Sequence, residues 1–173
     1  MIGLLLAAAL SATTAPADLG IATQWTAPDG RTVEQLLAAH VLPDPAVTPG
    51  VLNPAVTQAT IRVTVCKSGW TKTVRPPVSY TDALKVKLTP VGHKPAEYEL
   101  DHRLSIEDSG SPTDPGNLWM MVYADRYGAR VKDVLETRLK TLVCKGKITL
   151  DDARAALTGN WLIAYQTYVG RLP

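Results

Sequence analysis

The sequence has no phenylalanine, only two cysteines and almost no excess of charge. Because 18 Lys and Arg stand against 16 Asp and Glu, the net charge is only +2, which excludes a strongly basic chain that binds nucleic acid by charge alone. Two thiols also exclude a four-thiolate zinc site. In other respects the composition is globular, since 46% of the 173 residues are hydrophobic and 20% are charged. We therefore expect a single packed domain.

An apolar run near the N-terminus, residues 2 to 10, is too short to span a bilayer. Small residues follow it and end in Ala-Pro-Ala, a pattern typical of a signal peptide cleaved after Ala17. Since no Lys or Arg precedes the run, a buried N-terminal helix or an uncleaved anchor is the alternative. We expect residues 1 to 17 to be a signal peptide and the mature protein to be secreted or periplasmic, without stable membrane insertion.

The two cysteines, Cys66 and Cys144, lie far apart in the sequence. In an exported protein they are expected to form a disulfide, and closing so long a loop stabilises a fold by roughly 4 kcal/mol in the chain-entropy model. The alternative is a pair of buried free thiols in a cytosolic protein.

Residues 18 to 56 are expected to form an N-terminal helix and a Pro-rich segment. Apolar residues at helical spacing predict a helix over residues 32 to 40. The prolines at 43, 45, 49 and 54 forbid a continuous helix or central strand over residues 41 to 56, which we expect to be irregular and to wrap the main domain, residues 57 to 173.

The pattern of the main domain mixes strands with helices and predicts an α+β fold. Alternation of Ile61, Val63 and Val65 with polar residues predicts a strand over residues 59 to 65, and a second extended segment is predicted over residues 98 to 106. Helices are predicted from Ser79 or Thr81 to Leu88, from Gly128 to Val143 and from Thr149 to Leu157. The last segment, residues 161 to 169, is aromatic and apolar enough to dock on the core.

The long helix over residues 128 to 143 combines an apolar face with charged residues. Apolar residues recur at steps of three and four, at Val131, Val134, Leu135, Leu139 and Leu142. Lys132 and Glu136 share one face of the helix. They are either an ordinary surface ion pair, or a phosphate contact and a ligand of an active-site water or ion.

The stretch Tyr98-Glu99-Leu100-Asp101-His102 places an Asp-His pair in a partly apolar strand, where a buried charge needs a chemical reason. Metal-assisted phosphodiester hydrolysis provides one, with His102 as the base that activates water and Asp101 as a ligand of a hard cation. The amide oxygen of Asn117 is a candidate second ligand. Taken alone, an Asp-His pair is more often a surface pair or a capped turn than a catalytic site.

The combined pattern resembles the HNH (His-Me finger) nucleases: Leu100-Asp101-His102, a glycine-containing loop, Asn117-Leu118-Trp119 and then a helix. In that family a β-hairpin leads into a helix, the Asp binds the metal, the following His is the general base, and an Asn fixes the loop or binds the metal. The resemblance therefore implies a ββα-metal core surrounded by helices within residues 57 to 173. It implies a divalent ion, magnesium first and manganese or another second, at Asp101 and Asn117.

More specifically, the chain resembles a group of exported bacterial HNH-like proteins over residues 53 to 169. The resemblance rests on the stretches Val65-Cys66, Gly69-Trp70, Val74-Arg75, Tyr98 to His102, Asn117 to Trp119, Ala129 to Glu136, Val143-Cys144 and Trp161. The chain departs from the group at Met120-Met121, where a proline is usual, and at Asp108-Ser109, in place of a more apolar, Gly-rich loop. Lys132, Asp133 and Glu136 stand where many HNH proteins have a final metal-binding His, so waters would complete the coordination.

The implied function is that of an exported, metal-dependent endonuclease that hydrolyses DNA or RNA with low sequence specificity. Arg75 is predicted to contact phosphate, or else to brace a loop beside Pro76 and Pro77. A local excess of basic residues hints at an anionic partner, or else is a solvated surface: Lys67, Lys72, Arg75, Lys85, Lys87, Lys94 and Arg103.

The predicted partner is thus nucleic acid, with a protein inhibitor or a surface partner as a further possibility, and we expect a monomer. The alternative function is a non-catalytic extracellular binding module on an HNH-like scaffold, in which Asp101 and His102 would be buried or misaligned.

Overall fold

A computed structural model of the chain describes residues 24–173, which form an α+β fold as predicted. In this part of the chain six α-helices surround one antiparallel β-hairpin. The helices are α1 (Val33–Ala38), α2 (Trp70–Val74), α3 (Val78–Leu88), α4 (Ala129–Cys144), α5 (Leu150–Thr158) and α6 (Trp161–Tyr168), and the strands are β1 (Tyr98–His102) and β2 (Leu118–Val122). Short 3-10 helices span Pro95–Glu97, Ile106–Asp108 and Pro115–Asn117.

The signal peptide predicted for residues 1 to 17 lies outside the described residues. None of the helices between residues 24 and 173 combines the length and the apolarity needed to cross a bilayer.

Side-chain caps fix where two of the predicted helices begin. The Thr32 hydroxyl accepts the backbone N–H of Gln35, whose side chain accepts the N–H of Thr32 in return. Thr149 and Asp152 form the same reciprocal pair at the start of α5. Each such cap contributes about 1 kcal/mol to helix stability. The helices predicted at these positions are confirmed, as are α3 and α4. Residues 161 to 169 dock on the core as predicted, and most of them form α6.

The strand predicted over residues 59 to 65 is wrong, because this segment is a series of turns. Threonine hydroxyls form hydrogen bonds with backbone carbonyls nearby in the sequence, which competes with pairing to another strand. Thr60 donates to the Ala55 carbonyl, and Thr64 donates to the Thr60 carbonyl. Ile61 and Val65 are buried, while Val63 is 66% exposed. The buried pair is four residues apart, so the apolar period of two was misleading.

Helix α4 lies at the centre of the fold and packs against α5, α6 and the 3-10 helix Ile106–Asp108. Its fully buried residues Leu135 and Leu139 belong to one core with the following side chains: Leu36, Val41, Leu42, Leu104, Met121, Tyr127, Leu157, Trp161 and Leu162. Val134, predicted on the apolar face, is 48% exposed. The buried face includes Lys132 and Glu136 instead.

The Pro-rich segment forms no helix or strand between residues 41 and 56, as predicted, and packs on the same core. Two buried side chains hold it by its backbone carbonyls. Trp161 donates its indole N–H to Val41 O at 2.8 Å, and the Arg103 guanidinium donates to the carbonyls of Thr48 and Thr158. Arg103 therefore does not belong to the solvated basic surface suggested by the sequence.

The predicted disulfide between Cys66 and Cys144 is present, with 5.5 Å between the two Cα atoms. It ties the turn segment after Val65 to the last residue of α4 across a sequence separation of 78 residues. Because the linked elements are distant in sequence, the bond restricts the unfolded chain strongly.

Replacing both cysteines by serine is expected to lower the free energy of unfolding by about 4 kcal/mol, because the unfolded chain regains the entropy of a long open loop. Urea unfolding followed by circular dichroism measures the change, with reduced wild-type protein as the matched control. An unfolding midpoint equal to that of the oxidised wild type would contradict this account.

Candidate functional site

The Asp-His pair lies at the end of β1, where the hairpin opens into a long connection to β2. Asp101 faces Trp119 and His102 faces Leu118 in the antiparallel register. The Asp101 carboxylate oxygen Oδ1 accepts the backbone N–H of His102 at 2.8 Å. The strand end is thus fixed in a conformation that presents the two side chains together.

Asn117 holds the connection between the two strands from inside. Its side chain is fully buried, with Oδ1 accepting the N–H of Leu104 and Nδ2 donating to the carbonyls of Leu104 and Ser111, each at 2.9 Å. All of its hydrogen-bonding groups are therefore committed to loop backbone. This placement suits the loop-fixing role implied by the family resemblance and not the metal-ligand role, because a buried amide cannot reach an ion in a cleft.

Gly110 shows how tightly this connection is packed. A Cβ atom at this position would lie 1.8 Å from the Leu104 carbonyl oxygen and 2.7 Å from Asn117 Nδ2. Only glycine fits so close an approach of two backbone segments. The loop therefore needs a glycine at this position so that Leu104 and the Asn117 side chain can pack against its backbone.

His102 is half-buried and has one ring nitrogen fixed by the loop. Its Nε2 lies 3.1 Å from the carbonyl oxygen of Pro112, which can only accept, so Nε2 carries the proton. The other nitrogen, Nδ1, then has a free lone pair in the neutral ring. Burial lowers the pKa of His102 below the ordinary 6.5, in spite of the opposing effects of the Pro112 carbonyl and Asp101. At neutral pH the side chain is therefore an available base.

Lys132 reaches from α4 to the end of β1 and is 1% exposed. Its ammonium Nζ lies 2.8 Å from Asp101 Oδ2 and 2.7 Å from the backbone carbonyl of His102, and it also contacts Glu136 Oε1. Burial by itself would lower the pKa of Lys132, but the carboxylates of Asp101 and Glu136 raise it above its usual value. The side chain is neither the surface ion pair nor the phosphate contact considered from the sequence.

A cleft of about 220 Å³ lies beside this cluster, and we call it the acidic cleft. Its lining includes His102, the cation Arg75 and five carboxylic acids: Glu99, Asp101, Glu107, Asp133 and Glu136. Burial raises the pKa of Glu99, of Asp133 and, most strongly, of Glu136, and neighbouring carboxylates add to the effect. The cleft therefore disfavours further negative charge and favours protons or cations.

A second groove meets the acidic cleft at His102, Glu99, Leu100 and Arg75, and we call it the α3 groove. Lys85 and Tyr123 also line it, with the Lys85 ammonium 5.5 Å from the centre of the Tyr123 ring. The exposed Arg75 side chain has no hydrogen-bond or ion-pair partner among residues 24–173. The sequence interpretation in which Arg75 braces a loop beside Pro76 and Pro77 is therefore not supported. A free guanidinium beside the base can accept an anion from this side.

The residues implied as metal ligands do not fit a divalent ion. Asn117 is buried away from the cleft, and Asp101 Oδ2 already contacts the Lys132 ammonium. Within residues 24–173, no three His, Cys, Asp or Glu side chains are placed so as to share a metal ion. The cluster at the end of β1 is thus built around an ammonium.

Comparison of the chain with protein-family profiles, with curated proteins and with solved structures finds no match. The resemblance to HNH nucleases consequently rests on the residues of this chain alone.

Of the predicted site residues, His102, Asp101, Glu136 and Arg75 line one cleft, Lys132 lies beneath it, and Asn117 lies behind it. Sequence reasoning did not place Glu99, Glu107 or Asp133 in a cleft. A signal for Glu99 was its place two residues before Asp101, since alternate residues of a strand share a face. A signal for Asp133 was its place where many HNH proteins have a final metal-binding His, whereas Glu107, in the connection after β1, carried no such signal.

Replacing Asn117 by aspartate separates the two roles considered for this residue. Aspartate is a good metal ligand but has no N–H to donate to the Leu104 and Ser111 carbonyls. We expect the variant to lose about 3 kcal/mol of unfolding free energy, because a buried carboxylate would then face two carbonyl oxygens. Urea unfolding gives the value.

The matched control is Asn53→Asp, since the Asn53 side chain only accepts a hydrogen bond, from the N–H of Ala55. It should unfold like wild type. If Asn117→Asp is equally stable, the loop-fixing assignment is wrong.

Proposed function

We propose that the chain is a nuclease that hydrolyses phosphodiester bonds of DNA or RNA, with His102 as the general base. The observation that carries this proposal is the state of His102: it lines a cleft, its Nε2 is held by a backbone carbonyl, and burial lowers its pKa. A neutral, oriented imidazole is the arrangement that activation of water requires.

The reaction proceeds by attack of water on phosphorus. His102 Nδ1 takes a proton from the water as its oxygen bonds to phosphorus and the bond from phosphorus to the leaving oxygen breaks. The leaving oxygen takes a proton from solvent, and the imidazolium later returns its own proton to solvent. The products are one phosphomonoester and one hydroxyl group.

Arg75 supplies the positive charge for the phosphate. It is exposed, unpaired among residues 24–173 and adjacent to His102 in both the acidic cleft and the α3 groove. A guanidinium binds two phosphate oxygens at once. Because such a contact reads the backbone and not the bases, it is consistent with low sequence specificity.

We also propose that the hairpin and α4 form a ββα core of the HNH type. In support, β1 and β2 precede α4 in the chain, and Lys132 of α4 contacts both Asp101 and the carbonyl of His102 at the end of β1. The disulfide supports export to an oxidising compartment, where such bonds persist.

The charge of the acidic cleft favours a second candidate, a non-catalytic binding module on the same scaffold. Five carboxylic acids and one exposed arginine line the cleft, which repels a polyanion and attracts a cationic partner such as a basic peptide. In this alternative His102 has no chemical role, and its replacement leaves the function unchanged.

The His102→Ala variant is expected to lower the rate of plasmid and RNA cleavage at least about 100-fold, because water loses its base. The purified, oxidised proteins are compared at equal concentration in magnesium, in manganese and in EDTA. His93→Ala is the matched control, since His93 is exposed and lies outside both grooves. A folded wild-type protein that cuts neither DNA nor RNA in any of these buffers would favour the binding module.

Cleavage should also fall as the pH drops through the pKa of His102, because protonation of Nδ1 removes the base. Burial places that pKa below 6.5, so the acid limb of the pH-rate profile is expected below the value of an ordinary histidine. A limb at a higher pH would exclude His102 as the titrating base.

Replacing Arg75 by alanine is expected to weaken substrate binding about tenfold and to reduce the slope of log affinity against log salt by about one, since one phosphate contact is lost. Lys72→Ala is the control, because this lysine is exposed on α2 and outside both grooves. Equal salt slopes for the two variants would remove Arg75 from the phosphate site.

A further inference from the structure

The ammonium of Lys132 is surrounded by oxygen atoms in the way that a bound metal ion would be. Its neighbours are a carboxylate oxygen of Asp101 at 2.8 Å, the backbone carbonyl of His102 at 2.7 Å and a carboxylate oxygen of Glu136. An ammonium has three N–H donors, and here three oxygens face it. Because the side chain is also 1% exposed, it cannot reach a substrate phosphate, and Lys132 acts on the site through the groups that it contacts.

The same three oxygens are a donor set that a hard cation prefers, two carboxylates and a carbonyl. They come from separate elements, since Asp101 and His102 end β1 while Glu136 lies one turn after Lys132 on α4. The lysine is 1% exposed, so the position is closed to solvent on its own side. A divalent ion could enter this position only by displacing the ammonium.

The contact with the His102 carbonyl links this cation to the catalytic base. The carbonyl belongs to the residue whose imidazole lines the cleft, and the neighbouring Asp101 bonds to the N–H of that same residue. Both backbone groups of His102 are thus fixed by the cluster. The side chain is fixed from the other side by the Pro112 carbonyl.

From this arrangement we propose that Lys132 is the resident cation of the centre, occupying the position among Asp101, Glu136 and the His102 carbonyl in place of a divalent metal. Lys132 is then a positioning residue that aligns His102 and balances Asp101. If the proposed function is correct, this assignment has a consequence for catalysis: hydrolysis at His102 proceeds in EDTA. Only this consequence rests on the proposed function. The occupancy of the cation position can be tested without any activity.

The test compares wild type with Lys132→Ala, which removes the ammonium and leaves the three oxygens. Each oxidised full-length protein is titrated with Mn²⁺ alone, and free Mn²⁺ is followed by electron paramagnetic resonance. We expect Lys132→Ala to bind one Mn²⁺ about tenfold or more tightly than wild type, and to gain thermal stability with Mn²⁺ that wild type does not gain. Adding Asp101→Asn to this variant should abolish the binding.

Lys140→Ala is the matched control. Lys140 lies on the same helix and pairs with Glu107 at 2.8 Å, so its loss also frees a cleft carboxylate but leaves the Lys132 position intact. It should bind Mn²⁺ no better than wild type. If it binds as tightly as Lys132→Ala, the gain comes from general negative charge and the proposal is overturned.

Should Lys132→Ala not fold in metal-free buffer, its refolding with and without Mn²⁺ becomes the measurement, and refolding that needs Mn²⁺ is the expected result. A variant that Mn²⁺ neither binds nor refolds would overturn the proposal. So would a stoichiometric Mn²⁺ site in wild type that Asp101→Asn removes, because the oxygens would then hold a metal beside the lysine.

Cleavage assays keep this proposal separate from the proposed function. Wild-type cleavage that persists in EDTA supports both. If the wild type cleaves nucleic acid only with added metal, the proposed nuclease function stands, but the proposal that Lys132 is the cation of the centre is overturned. Absence of cleavage under every condition removes the nuclease, and the Mn²⁺ titrations still decide whether Lys132 occupies a cation position.

Discussion

The buried ammonium of Lys132 connects the two parts of the structure on which the site depends. Helix α4 supplies the lysine and Glu136, and β1 supplies Asp101 and the carbonyl of His102. Taking such charges out of water is costly, and removal of one partner from a buried ion pair destabilises a protein by about 3–5 kcal/mol. These charges are paired only when the hairpin and α4 pack in the observed orientation, so other orientations have a higher free energy.

Two polar side chains fix His102 from opposite sides. Lys132 holds the backbone of the strand end, while Asn117 holds the connection that carries the Pro112 carbonyl to the imidazole. Both side chains are buried and have their polar groups occupied, so neither has to move for the base to be ready. The proposed role of His102 as a general base would depend on such preorganisation.

The charge distribution around His102 is asymmetric. Five carboxylic acids and one cation, Arg75, line the acidic cleft, whereas two cations, Arg75 and Lys85, and two carboxylic acids, Asp82 and Glu99, line the α3 groove. A phosphodiester is therefore repelled less on the α3 side than on the other. In the proposed nuclease this asymmetry would give a substrate strand a direction of approach, and a binding module for cationic partners would share the same feature.

The sequence by itself determined α1, α3, α4 and α5 and the candidate pair Asp101-His102, because these follow from local spacing. It missed α2, because five residues are too few to show a helical period. It misjudged residues 59 to 65, where threonine hydroxyls compete for the backbone. It also could not assign Lys132, since a lysine four residues before a glutamate on a helix is equally typical of a solvated face. Only the docking of α4 on the end of β1 decided that this lysine is buried, because its burial and its ion pairs depend on carboxylates more than thirty positions apart in the chain, Asp101 and Glu136.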